Sequence, residues 1–227
     1  MPRKDYDYLI DHFDELFPDN IGLITPQTSK HYEVFFAKIH DKNTTYIELG
    51  MSKRPDRYSG VFIDVFPMDG APEDEIGKRK FKRKYQWLMF CNYKIRFGIS
   101  DVHTFRAKLL HLLFLPLRII LPYDYYYKKY LKLIYENDYD KSDYMTYPTV
   151  IYGYDYIFNK EKAGTIIIGP FENTEINILS GYDYFLTQGY GDYMKLPPEE
   201  KRVSHHYADY ISFDLPFKEF DLKNIEN

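Results

Sequence analysis

A chain of 227 residues, 44% hydrophobic and 19% aromatic, carries enough apolar mass to bury a core, which excludes an intrinsically disordered protein. Thirty Lys and Arg against 34 Asp and Glu leave a net charge of −4, which argues against a general nucleic-acid binder. Cys91 is the single cysteine, so an intramolecular disulfide and a multi-cysteine zinc site are excluded, and a reducing compartment is expected.

The charged start Arg3-Lys4-Asp5 does not read as a signal peptide. Residues 3–17 predict an amphipathic helix through Tyr6, Leu9, Ile10, Phe13, Leu16 and Phe17, ended by Pro18-Asp19-Asn20. The period then changes. Residues 32–39 and 44–49 predict two strands paired across the turn Asp41-Lys42-Asn43, and 60–66 a third, stopped by Pro67. From Glu73 the pattern is helical to about Phe97, with further helices near 104–115 and 125–137. The most apolar run, Leu109 to Leu121, is interrupted by His111, Pro116 and Arg118 and falls short of the ~20 residues of a membrane span. A core helix is expected there, an interfacial helix lying on a membrane being the other reading. Short strands at 165–170 and 175–179 flank the turn Glu172-Asn173-Thr174, and a short helix follows at 182–188. The expected architecture is α+β in one domain over 1–227, a small sheet from both ends of the chain with a helical insertion at about 73–150.

Asp64 stands inside the apolar strand Phe62-Ile63-Asp64-Val65-Phe66. A carboxylate there requires compensation, by a divalent metal or by an arginine or loop donors. Asp69 lies in the following turn, where aspartate is ordinary. The run Lys78-Arg79-Lys80-Phe81-Lys82-Arg83-Lys84 predicts a solvated helix face, with Phe81, Tyr85, Leu88 and Ile95 turned inward; peripheral contact with an anionic membrane is the alternative. Between Tyr190 and His206, glycines, prolines and the donors Lys201, Arg202, His205 and His206 suit either phosphate recognition or a capped loop. Adjacent histidines are a poor metal chelate. Asp138-Tyr139-Asp140 has the spacing of a paired-carboxylate motif but reads as a solvated loop.

Taken in order, several segments resemble the LicD family of phosphotransferases. Ile63-Asp64-Val65-Phe66-Pro67-Met68-Asp69 is similar to its "IDIFPLD" signature. Tyr190-Gly191-Asp192-Tyr193-Met194, Leu196-Pro197-Pro198 and His205-His206 resemble its C-terminal signature, and Phe171-Glu172 its "FE" element. Lys38-Ile39-His40-Asp41-Lys42-Asn43-Thr44 resembles the lysine-to-threonine hairpin before the aspartate strand.

The resemblance implies a nucleotidyltransferase-like fold with a small mixed sheet. It also implies transfer of phosphocholine, or a similar phosphoryl-linked group, from a CDP-activated donor such as CDP-choline to a glycan hydroxyl. The acceptor would be a lipopolysaccharide, teichoic acid or capsule precursor, free or lipid-linked, used at the inner face of the membrane. Fukutin-type enzymes are distant relatives. Mg²⁺ is the implied cofactor, with Asp64 as a ligand and Asp69 as a supporting carboxylate. Lys38, Thr44, Glu172, Tyr190, Gly191, Asp192, Lys201, Arg202, His205 and His206 are the implied substrate contacts. The family's first carboxylate motif resembles "PWDDDID" and stands just before a "GMPRKDY"-like helix start, whereas this sequence opens at Met1-Pro2-Arg3-Lys4-Asp5-Tyr6. A truncated, inactive paralogue or a partner subunit that retains glycan binding is therefore the alternative expectation.

Overall fold

The structure, a computed structural model, describes residues 1–97, 104–147, 157–202 and 207–224. Helices α1 (Arg3–Asp11) and α2 (Phe13–Leu16) lead into strands β1 (Ile21–Ile24), β2 (Ala37–Asp41), β3 (Thr45–Glu48), β4 (Phe62–Val65) and β5 (Asp69–Ala71). Three helices follow, α3 (Glu75–Arg96), α4 (Phe105–Ile120) and α5 (Tyr125–Tyr135). The C-terminal part holds β6 (Tyr144–Thr146), β7 (Ile157–Asn159), α6 (Lys160–Ala163), β8 (Ile166–Phe171), β9 (Thr174–Leu179), α7 (Tyr182–Tyr190) and β10 (Ala208–Ser212). The chain is α+β, as expected.

Among the described residues the strands form four small sheets: β1-β2-β4, β10-β3, β5-β6-β7 and β8-β9, with every pairing antiparallel. The expected single mixed sheet is thus corrected. So is the expected hairpin. The turn after Asp41 forms, with Thr44 N–H donating to the Asp41 carbonyl, but β2 pairs with β1 and β4 while β3 pairs with the distant β10. Ladder partners for β3 come from a segment about 160 residues away, which local turn chemistry cannot reveal.

Aromatic mass explains a further correction. Residues 32–36 leave the predicted strand because Phe35 turns into the helical core, stacked on Tyr130 at 4.3 Å and packed with Tyr85 and Tyr127. Phe81, Leu88 and Met89 of α3 and Leu133 and Ile134 of α5 complete that core. A second cluster, Met145, Phe158 and Ala163 with Tyr147 and Phe185, supports the β5-β6-β7 sheet.

Asp74 starts α3 as a cap, its carboxylate accepting from Ile76 and Gly77 N–H at 3.0 and 2.8 Å. At its other end the fully buried Arg96 donates to the carbonyls of Pro26, Ser29 and Lys30 and to Asn92 Oδ1, tying the loop before β2 to the helix. The predicted first helix is divided at His12, whose imidazole Nδ1 lies 3.1 Å from the Tyr8 carbonyl that also accepts its backbone N–H. α4 runs beyond its predicted end, through Pro116. It is not the expected core helix: His111 is buried, while Leu109, Leu112, Leu113, Ile119 and Ile120 are exposed.

Candidate functional site

Asp64 lies on β4, the edge strand of its sheet, directly opposite Lys38 on β2. Paired residues on adjacent strands share a face, so the acid and the base are neighbours by register. Lys38 is buried. Its Nζ donates to Glu48 Oε1 at 2.9 Å and stands 3.7 Å from the Phe62 ring centre, a cation over an aromatic face. Glu48 also accepts from Arg57 at 3.3 Å, and Arg57 in turn donates to Glu33 at 2.6 Å.

Burial alone would push the Glu48 carboxyl up, but Lys38 and Arg57 outweigh it and hold the group below its ordinary range. Asp64 is half-buried, with Oδ1 shut off from solvent. Its charge is felt nearby: the Tyr32 phenol is raised well above its usual value, first by burial and next by Asp64.

The turn between β2 and β3 is held by its own side chains. Thr44 Oγ1 donates to the Asp41 carbonyl at 2.9 Å and accepts from Val61 N–H at 2.8 Å. Gly60 N–H donates to His40 Nδ1 at 3.0 Å, which fixes that imidazole as neutral at Nδ1. A Cβ at position 60 would stand 1.6 Å from the Asp41 oxygen, so only glycine permits this approach. Burial, then Lys42, pulls His40 down to about 4.

Asp69 meets different surroundings. It is 2% exposed and accepts from Arg3 at 2.6 and 3.0 Å and from the Tyr130 hydroxyl at 2.8 Å. Burial lowers the Arg3 pKa, yet Tyr130 and Asp69 outweigh it and leave the guanidinium above its usual value. The pair docks α1 onto β5 and α5, with both carboxylate oxygens committed. Beside it, Met1–Arg3 run parallel to residues 66–68: Met68 N–H donates to the Met1 carbonyl at 2.6 Å, and Arg3 N–H to that of Met68 at 2.9 Å. The backbone at Met1 therefore lies alongside the continuation of the Asp64 strand.

The structure thus gathers Lys38 on β2, Asp64 on β4 and Thr44 in the turn between β2 and β3. The other predicted substrate contacts among the described residues lie on other elements and are exposed. Glu172 occupies the β8–β9 turn with a left-handed φ of 50°. Tyr190 ends α7, and Gly191, with φ 70°, terminates it ahead of Asp192. Lys201 closes a short 3-10 turn, and Arg202 Nε donates to the Pro197 carbonyl at 2.8 Å. His205 and His206 lie outside the described residues. Asp138 and Asp140 are in an exposed loop, paired with Lys141 and Lys4.

Among the described residues no three His, Cys, Asp or Glu side chains converge to hold a metal ion. Asp64 brings one carboxylate, and this donor set does not amount to a protein-built Mg²⁺ site. Of the polar cluster Glu33–Arg57–Glu48–Lys38, Lys38 is a sequence-predicted contact, while Glu33, Glu48 and Arg57 are not; of these three only Glu48 carries a sequence signal, as an acid closing the alternation Thr45-Tyr46-Ile47-Glu48.

No family model matches the chain, and no solved structure does. It is 27% identical over 218 residues to the lipopolysaccharide cholinephosphotransferase LicD of Haemophilus influenzae, covering 92% of this chain and 77% of that relative. An alignment of that extent takes in every matched motif in family order from Lys38 to Arg202, and it supports membership of the LicD family.

Proposed function

We propose that this protein transfers phosphocholine, or a closely similar phosphoryl-linked group, from a CDP-activated donor to a hydroxyl of a lipopolysaccharide or related surface glycan. The observation that carries this reading is the near full-length likeness to a lipopolysaccharide cholinephosphotransferase. In the reaction a glycan oxygen bonds to the phosphocholine phosphorus, the pyrophosphate P–O bond breaks, the hydroxyl proton is released and CMP departs. A nucleotidyltransferase-like fold belongs to the same proposal, as do teichoic acid or capsule precursors as alternative acceptors and a cytoplasmic site at the inner face of the membrane.

Asp64 is the acid assigned to the reacting centre, with Lys38 beside it as a fixed positive charge. Mg²⁺ enters as a proposed cofactor, for which Asp64 gives one ligand and the described residues do not give the rest. Lys201 and Arg202, exposed and free of carboxylate partners among the described residues, suit donor phosphates. Thr44, Glu172, Tyr190, Gly191, Asp192, His205 and His206 stand as proposed contacts on the family likeness alone.

The test is CMP release on incubating the protein with CDP-choline, Mg²⁺ and lipopolysaccharide. Release that depends on all three supports transfer. Lipopolysaccharide binding without release would favour the inactive paralogue.

A further inference from the structure

α4 carries its apolar residues on the wrong side for a core helix. The face toward α3 is narrow, with Phe114 against Phe90 at 5.8 Å and His111 against Tyr93 at 6.0 Å. On a helical wheel, Phe105, Leu109, Leu112, Leu113, Ile119 and Ile120 form one continuous arc on the opposite side. All six are exposed, Phe105 at 81%, Leu113 at 67% and Ile119 at 76%. Lys108 borders that arc on one side and Arg106 on the other, and both are exposed. The helix holds three cations, with Arg118, and no acidic residue.

The surroundings continue this pattern. The two ring contacts run in opposite chain directions, so α3 and α4 are antiparallel, and the exposed Lys80 and Arg83 of α3 lead along its surface to Trp87 beside α4. Trp87, the chain's single tryptophan, is 59% exposed and stacks on Phe90, which touches Phe114. An aromatic with an indole N–H at such a boundary is the residue type favoured at the headgroup level of a bilayer.

We infer that α4, with Trp87 at its edge, lies in the interface of an anionic lipid bilayer, apolar arc down and flanking cations at the lipid phosphates. A span is ruled out by dimension: 16 residues rise about 24 Å, short of a ~30 Å hydrocarbon core, and no helix among the described residues is long and apolar enough to cross. Lysine and arginine at the borders of the arc can extend their heads to phosphate while their stems stay apolar. A second copy of the chain fits less well. Two such arcs face to face would bring cationic borders together with no acid on either helix to offset them.

Lipid binding needs no turnover, so this inference stands or falls apart from the transfer reaction. The test is flotation of the full chain with phosphatidylcholine vesicles, with and without phosphatidylglycerol, while Trp87 emission is recorded. The expected result is flotation with the anionic vesicles, a blue shift of Trp87, and weakening by salt. Leu113→Glu/Ile119→Glu is expected to lower partitioning at least roughly tenfold with an unchanged melting temperature, since both side chains are exposed. Arg106→Gln/Lys108→Gln should reduce the preference for anionic vesicles. Absence of flotation, equal flotation by the Glu variant, or a dimer in buffer that the Glu variant dissociates would each overturn the proposal.

Discussion

Two aspartates of one short motif, Asp64 and Asp69, are separated chemically by what surrounds them. Asp69 has its oxygens filled by Arg3 and Tyr130 and serves to hold α1 in place. Asp64 stands on an edge strand across from a buried lysine, its neighbourhood rich in charge and still partly open to solvent. Neither environment is legible in Asp64-Val65-Phe66-Pro67-Met68-Asp69 itself. Arg3 is 66 residues from Asp69 in sequence, and Glu48 and Arg57 reach the cluster from outside the motif. His40 gives the residue scale its own test. Its folded pKa is about 4 against an ordinary 6.5, so between these values the unfolded chain holds more protons and stability falls as pH falls. The loss approaches ~3 kcal/mol over that window. Urea unfolding at pH 7 and pH 5 should show a larger decrease for the native chain than for His40→Gln; equal decreases would exclude the imidazole as the titrating group.

Elements differ in how far their sequences specify them. α3 was readable because its cap and its inward stripe are both local: Asp74 bonds the first turn, and Phe81, Leu88 and Ile95 recur on one face. The strands of three or four residues, such as β1, β5 and β6, carry too short a pattern to stand out, and β3 takes a partner supplied by chain closure. The α4 run failed differently. Apolar composition says that a surface avoids water, not which apolar partner covers it. The β8–β9 hairpin was read correctly from its turn and strand pattern, yet Glu172 sits at φ 50°, a conformation that glycine adopts without strain. Glu172→Gly is therefore expected to stabilise the chain by up to about 1 kcal/mol. Unchanged turnover in that variant would assign Glu172 to the turn alone; a more stable protein with lowered turnover would support its role as a substrate contact.

At the scale of the whole molecule, small antiparallel sheets and a three-helix unit are joined by buried polar ties rather than by one continuous sheet. Arg96 binds the loop before β2 to α3, Arg3 and Asp69 bind α1 to β5, and Arg57 links Glu33 to Glu48. Such ties hold separate elements in a fixed arrangement, and breaking one is costly because a buried charge is left without its partner. Asp69→Asn should therefore lower stability by ~3–5 kcal/mol while leaving turnover per folded molecule near normal. Asp64→Asn should do the opposite. The most direct measurement compares melting temperature and CMP release from CDP-choline for these two variants. The expected result is near-native melting with lost turnover for Asp64→Asn, and lowered melting with retained specific turnover for Asp69→Asn. An Asp64→Asn protein that melts early yet turns over normally per folded molecule would contradict it.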